Sequence, residues 1–301
     1  MTEDAAVNGD LVLPANLTTA PCIPPAWLAS LPAVVAQVRR RWRLDVAAPF
    51  QPGGQTAWVA PARDERGRDL VLKIGWWHSE GRNEADGLRV WDGDASVHLY
   101  AADMLDGGPG NRTSVLLLER CRPGTELSGS PEPEQDVVLA GLLRRLWVSP
   151  PAGHGIRPLQ AMCDEWAAEF EAKRAAGRAT AVDAGLARAG MDLFRSLPAT
   201  ADRSVLLCTD LHAANVLAAE REPWLVIDPK PHVGDPAYDP VQHMLNCDGR
   251  LRDDPLGLVR RMAGLLDLDP ERLRLWLFAR CVQESPERPG LAEVAQRVAP
   301  T

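Results

Sequence analysis

The chain has 301 residues, 46% of them hydrophobic and 25% charged, which suits a globular protein with a sizeable core or with two lobes meeting at a cleft. A net charge of −8 argues against nucleic acid, whose phosphates require a basic surface. The segment Met1–Ala20 lacks a basic start and apolar run, and apolar stretches such as Val137–Leu143 are far too short for a bilayer, so a cytoplasmic location without membrane contact is expected.

The opening residues, 1–24, read as a loose polar tail. Pro24-Pro25 then opens a helix over Ala26–Leu44, whose apolar positions Leu28, Leu31, Val34, Val35, Val38 and Trp42 recur at helical spacing. Thr56–Pro61 and Asp69–Ile74 flank the turn Asp64-Glu65-Arg66-Gly67 and predict a β-hairpin. A helix over Ser79–Trp91 follows, then strands at Val97–Ala101 and Ser114–Glu119 around a Gly-rich turn at residues 107–110. After Pro123-Gly124 helices dominate. Pro131–Trp147 begins acidic and ends basic, as the helix dipole favours. Further helices are predicted over Leu159–Ala176, Ala181–Ser196, Pro240–Asn246, Pro255–Leu266 and Pro270–Glu284. Short strands at Val205–Leu207, Val216–Ala218 and Trp224–Ile227 interrupt them. A run of strands followed by a run of helices argues for an α+β fold.

Two residue types stand out by number. The six cysteines include no C-x-x-C pair, so reduced and mostly buried thiols are expected rather than zinc or redox chemistry. There are 30 arginines but only three lysines: Lys73, Lys173 and Lys230. Where arginine is so favoured, each lysine raises the question of what it is needed for.

The strongest chemical signal is Cys208-Thr209-Asp210-Leu211-His212-Ala213-Ala214-Asn215, followed by Val226-Ile227-Asp228-Pro229-Lys230. Strand-like flanks hold a polar loop between them. Asp210 and Asn215 lie five residues apart, and Asp228 ends the next strand eighteen residues after Asp210. Two carboxylates and an amide oxygen on neighbouring short strands can converge on a hard cation such as Mg²⁺. Upstream, Lys73 sits between apolar strand residues in Val71-Leu72-Lys73-Ile74, where a buried ammonium needs a partner. Glu84 on the following helix is the candidate, with Glu80 as a rival. Gly53 and Gly54 precede a strand and would let backbone N–H groups approach phosphates, or simply make a hairpin turn. No G-x-x-x-x-G-K-[ST] is present, which excludes a P-loop enzyme.

Together these residues resemble a known family. D-L-H-x-x-N followed by an I-D strand end is similar to the aminoglycoside phosphotransferase and choline-kinase branch of the protein-kinase-like enzymes. Asn83-Glu84-Ala85-Asp86-Gly87-Leu88 and Ala218–Pro229 look particularly like the streptomycin 6-phosphotransferase and hydroxyurea phosphotransferase subgroup. The resemblance implies a bilobal fold, with a small β-rich N-terminal nucleotide-binding lobe over residues 25–121. A larger, mainly helical catalytic and substrate-binding lobe would cover 122–301. It implies that Asp210 accepts or orients the proton of a substrate hydroxyl and that Asn215 and Asp228 hold Mg²⁺. Lys73, paired with Glu84, would position the phosphates of ATP or GTP. Backbone groups of Glu119 and Cys121 would contact adenine. Gly234-Asp235-Pro236-Ala237-Tyr238-Asp239 matches a family G-D-P-x-x-D, and Asp239 is expected to brace the catalytic loop. Two positions depart from the pattern: Cys208 stands where the family usually has His, and Lys230, beside the phosphate site, is expected to point to solvent, with contact to phosphate as the alternative.

The function so implied is ATP-dependent phosphorylation of a hydroxyl on a small antibiotic, with a streptomycin-type aminoglycoside first and hydroxyurea or a secondary metabolite as alternatives. A catalytically inactive nucleotide-binding protein is a third reading. The protein is expected to act as a monomer. A cationic acceptor would need carboxylates and aromatic faces near Asp210. The helical region offers Asp164, Glu165, Glu169, His243, Asn246, Asp248, Gln283 and Glu284 as candidates, while Trp166 and Trp276 read as core.

Overall fold

The computed structural model describes residues 11–107, 112–179 and 181–300, apart from the side chain of Glu80. The chain forms two compact units: one runs up to Ala85 and takes in Val97–Arg120, and the other holds Asp86–Ser96 and Cys121 onward. Residues 86–96 group with the second unit although they interrupt the first in sequence.

The first unit contains helices α1 (Ala15–Thr19) and α2 (Pro25–Trp42) and strands β1 (Asp45–Val46), β2 (Ala57–Arg63), β3 (Asp69–Trp76), β4 (Leu99–Asp106) and β5 (Arg112–Glu119). The strands form one antiparallel sheet in the order β1-β2-β3-β5-β4. Helix α2 starts with proline at its first position and ends with Arg39, Arg40 and Arg41 at the negative end of its dipole. It buries Trp27, Leu31, Val35 and Val38, one stripe of a 3.6-residue period. The same core takes Leu70, Leu72 and Ile74 from β3. Strict alternation along β3 turns Lys73 to the opposite face. In the turn from β2 to β3, Asp64 Oδ1 accepts the N–H groups of Arg66 and Arg68, and Gly67 supplies a φ of 77°.

The expectation of a loose tail fails for the described part of it. Leu17 is fully buried, Ile23 joins the same core, and the Trp58 indole donates to the carbonyl of Val12. Leu11, Leu13, Leu17 and Ile23 carry enough apolar surface to close this core. Of the turn expected over 107–110, residues 108–110 lie outside the described part of the chain.

The second unit is mainly helical. Helix α3 (Glu84–Trp91) leads into it after a short turn of 3₁₀-helix. It then contains α4 (Glu132–Leu146), α5 (Leu159–Ala175), α6 (Ala184–Ser196), α7 (Pro240–Leu245), α8 (Asp248–Asp253), α9 (Pro255–Leu266), α10 (Pro270–Glu284) and α11 (Leu291–Val298). Among these are two small antiparallel ladders, β6 (Val205–Leu207) with β9 (His232–Gly234) and β7 (Val216–Ala218) with β8 (Trp224–Val226). Helix α10 is the hub, burying Leu273, Trp276, Leu277, Phe278 and Val282. Gly190 of α6 lies so close to it that a Cβ there would stand 2.8 Å from the Val282 side chain. Among the described residues, no helix is long and apolar enough to cross a membrane.

Candidate active site

The two ladders of the second unit carry the loop singled out in the sequence. Strand β6 ends at Leu207, and residues 208–215 pass to β7, which pairs with β8 in the register Val216↔Val226. Asp228 follows that pairing directly, and the N–H of Ile227 donates to the Asn215 carbonyl over 2.9 Å. Asn215 Nδ2 donates to the backbone oxygen of Asp210 at 3.0 Å, which leaves its Oδ1 as the acceptor end of the amide. Asp210, Asn215 and Asp228 are thus brought together by main-chain pairing. Thr209 and Asp228 have φ of 52° and 50°. Such left-handed backbone is uncommon outside glycine and gathers at functional sites.

Beneath the loop, Asp239 is fully buried. Its Oδ1 accepts from the Thr209 N–H at 2.6 Å, and its Oδ2 from the Cys208 N–H at 3.1 Å and the Trp147 indole at 2.9 Å. Burial raises its carboxyl to about 6 against the pull of those three donors. Asp235 caps the turn before α7 and takes Arg272 Nε and the Trp276 indole, each at 2.6 Å. The G-D-P-x-x-D segment is therefore a brace tying the loop to α10. Burial also pushes the Cys208 thiol well up and lowers the His212 imidazole, so neither carries charge near neutral pH.

Sequence reasoning missed one layer of this site. Gln242 of α7 donates from Nε2 to Asp210 Oδ1 at 3.1 Å and accepts at Oε1 from Arg280 of α10 at 3.1 Å. Arg280 is buried, sits 4.6 Å from the centre of the Trp166 ring, and also donates to Gln283 and Glu284. A buried cation thus stands two hydrogen bonds from the Asp210 carboxylate. No short motif announces it, because Gln242 and Arg280 are 38 residues apart.

In the first unit, Lys73 Nζ donates to both carboxylate oxygens of Glu84, at 2.6 and 2.7 Å, with side chains only 12% and 7% exposed. Glu84 is thus the partner of Lys73; the Glu80 side chain is outside the described residues. Gly53 has a structural reason of its own: with φ 75°, its Cβ would stand 2.5 Å from Pro14 Cβ, and its carbonyl accepts from Asn16. Gly54 has nothing within 4 Å of its Cβ position. The Glu119 N–H is committed to the His98 carbonyl and its carboxylate to the His98 N–H, so that N–H is not a ready contact for a base. Cys121 is buried.

The oxygens of Asn215 and Asp228 form a hard donor set suited to Mg²⁺. A cation already stands there: the Lys230 ammonium is 2.5 Å from Asp228 Oδ1, and its side chain is only 15% exposed. Lys230 therefore does not point to solvent as expected. The oxygen donors suit a divalent ion, provided that this single ammonium gives way on Asp228. A second cluster, Asp136, His243 and Cys247, also brings its ligand atoms together. There, however, Arg250 and Arg261 both donate to Asp136, a pairing that repels a further cation. Burial alone would raise the Asp136 carboxyl, but hydrogen bonds from His243, Arg250 and Arg261 hold it far below its usual value. His243 is thus a packing residue rather than a substrate contact.

The other candidates for a cationic acceptor are mostly spoken for. Glu165 pairs with Arg157, Glu284 with Arg280 and Arg288, and Asp248 with Arg288. Asp164 accepts from Gln160, and Asn246 donates to the Gln242 carbonyl. Trp276 is core, whereas Trp166 is half-buried under the Arg280 guanidinium.

Comparison with known proteins agrees with this architecture. A thermostable mutant of the aminoglycoside phosphotransferase APH(4)-Ia, solved as a ternary complex with ADP and hygromycin B, matches with a TM-score of 0.57 at 14% identity, covering 89% of this chain and 99% of that one. The choline kinase LicA from Streptococcus pneumoniae matches at 0.58 and 13% identity, covering 90% and 97%. Both share the bilobal protein-kinase-like fold. Hydroxyurea phosphotransferase of Kitasatospora aureofaciens is 40% identical over 267 residues, 85% of this chain and 73% of the relative. Streptomycin 6-kinase of Streptomyces glaucescens is 35% identical over 268 residues, 86% and 83%. A family model described as aminoglycoside/hydroxyurea antibiotic resistance kinase matches residues 41–287. With its phosphotransferase relatives and the model spanning most of its length, the chain belongs to the aminoglycoside/hydroxyurea antibiotic resistance kinase family and is a phosphotransferase.

Proposed function

We propose that the protein transfers the γ-phosphoryl group of ATP to the hydroxyl of a small uncharged acceptor of the hydroxyurea type. The observation that carries the reaction is the main-chain pairing that brings the braced loop with Asp210 and Asn215 alongside the strand end before Asp228. Lys73, held by Glu84, takes the α- and β-phosphates, and the open backbone at Gly54 lies against phosphate oxygens. Asn215 and Asp228 hold Mg²⁺, which when bound neutralises charge on the phosphates. Asp210, oriented through Gln242, accepts the proton of the acceptor hydroxyl. The acceptor oxygen then bonds to the γ-phosphorus, the bond from that phosphorus to the β–γ bridging oxygen breaks, and ADP leaves with the electron pair.

The acceptor class rests on charge. A polycationic aminoglycoside needs unpaired carboxylates to replace its hydration. Here Glu165, Glu284 and Asp248 already pair with arginines, Asp164 among the described residues meets only the Gln160 amide, and Arg280 stands near Asp210. A neutral acceptor meets no such conflict, and the 40% identity to a hydroxyurea phosphotransferase, against 35% to a streptomycin 6-kinase, points the same way. This reverses the streptomycin-first order expected from sequence.

The test is ADP release by purified protein with Mg²⁺-ATP, using hydroxyurea and streptomycin as separate acceptors and Asp210→Asn as control. Release with hydroxyurea, lost in the variant, supports the reading. Release with streptomycin alone would overturn the acceptor class, and no acceptor-dependent release from either would overturn the activity.

A further inference from the structure

Two of the three lysines are accounted for. Lys73 meets Glu84, and Lys173 makes a surface pair with Glu287 at 2.7 Å. Lys230 is the third, in a chain that otherwise uses arginine for its cations. Its main chain is clamped on both sides to the loop that carries Asp210. Its N–H donates to the Cys208 carbonyl at 2.9 Å, and its own carbonyl accepts from Thr209 Oγ1 at 2.5 Å. His232 Nδ1 lies 2.9 Å from that same carbonyl. The side chain reaches past that clamp onto Asp228, the carboxylate assigned to the metal.

Lysine suits such a place better than arginine. It is a compact point charge on a flexible four-carbon stem, whereas guanidinium is a rigid fork that locks onto a carboxylate with two bonds. Asp228 is a part-buried carboxylate, and the ammonium offsets the cost of burying its charge. Once nucleotide and divalent ion are bound, the same ammonium is two residues from the carboxylate that meets the phosphates. Positive charge there is worth most as the phosphoryl group is transferred, when negative charge is spread over its outer oxygens.

We propose that Lys230 is a mobile counter-ion. Its ammonium holds the place on Asp228 that a divalent cation takes in the loaded enzyme, and on displacement it contacts the phosphoryl group in transfer. The inference rests on the phosphotransferase reading above. It makes the nucleotide-free enzyme a poor binder of free divalent ions and makes Lys230 a phosphate-contacting lysine in its own right.

The experiment compares wild type, Lys230→Met, Lys230→Arg and Asp228→Asn. Mn²⁺ binding to nucleotide-free protein is measured by calorimetric titration, and turnover with Mn²⁺-ATP alongside it. Lys230→Met should bind Mn²⁺ about tenfold more tightly than wild type, since a like charge has left the site. It should lose about 100-fold in kcat, with a much smaller change in KM for ATP. Lys230→Arg should keep Mn²⁺ out as wild type does yet recover little of kcat, which separates charge from mobility. Unchanged or weaker Mn²⁺ binding in Lys230→Met, or kcat within about twofold of wild type, would overturn the proposal. So would wild-type turnover in Lys230→Arg. If Asp228→Asn abolishes turnover while both Lys230 variants match wild type, Lys230 alone has been misread. If Asp228→Asn turns over normally, the metal assignment fails with it.

Discussion

Replacing Gln242 with methionine keeps the volume of the side chain but removes both of its hydrogen bonds, the one given to Asp210 and the one taken from Arg280. A hydrogen bond to a charged group contributes about 1.5–3 kcal/mol. At 3.1 Å the bond to Asp210 is long for a charged acceptor, so the lower half of that range applies. If the bond orients Asp210 for the acceptor hydroxyl, its loss acts on the chemical step. About 1.5–2 kcal/mol corresponds to a roughly 10- to 30-fold lower kcat. KM for ATP should hold, because Lys73 and Glu84 are untouched. Steady-state ADP release at saturating ATP measures both. The same change in an Asp210→Asn background should cost little more, as the two residues act as one unit. A kcat within about twofold of wild type, or an equal loss in the Asp210→Asn background, would refute the positioning role and leave Gln242 as packing.

Two further outcomes concern stability. Asp136 is fully buried and links α4 to α7, α8 and α9 through His243, Arg250 and Arg261. Asp136→Asn leaves Arg250 and Arg261 without their shared carboxylate and should cost about 3 kcal/mol, the low end for a broken buried pair because both arginines are part-exposed. Urea denaturation would show this as a lower midpoint, and an unchanged midpoint would contradict it. Asp239 has a folded pKa of about 6, above the ordinary 3.8. The native state therefore holds this proton more tightly, so its contribution to stability falls as pH rises from about 4 to 6 and is flat above. Asp239→Asn lacks that opposing slope, so its stability should climb more steeply than wild type over the same interval in pH-dependent melting. Parallel curves would show that Asp239 does not titrate there.

How much was readable in advance follows from how far apart the interacting residues lie. The β3 lysine could be read because alternation along one strand sets which side chains face the core, and Leu72 and Ile74 flank Lys73 in eight contiguous residues. The Asp210, Asn215 and Asp228 set was legible because short strands fix spacing locally. The Gln242–Arg280 relay was not, since it depends on α7 and α10 meeting in space. Lys230 was misjudged for a different reason. The left-handed backbone at Asp228 turns the chain, and no residue pattern marks that turn because aspartate rather than glycine occupies it. The N-terminal segment was misjudged because Leu11, Leu13, Leu17 and Ile23 sustain no single period along it, although their apolar character was visible.

The excursion of residues 86–96 out of the first unit bears on how the protein can be made. Trp91, almost wholly buried, donates its indole N–H to the Leu146 carbonyl, and the Ala95 carbonyl accepts from Val226. During synthesis these groups emerge well before their partners, so a nascent chain ending near Arg120 carries an unsatisfied tryptophan and a strand-ready edge. Excising the first unit as a fragment would expose the same groups permanently. A stand-alone version needs residues 86–96 replaced by a short polar connection between Ala85 and Val97, so that the sheet closes without waiting for sequence that never arrives.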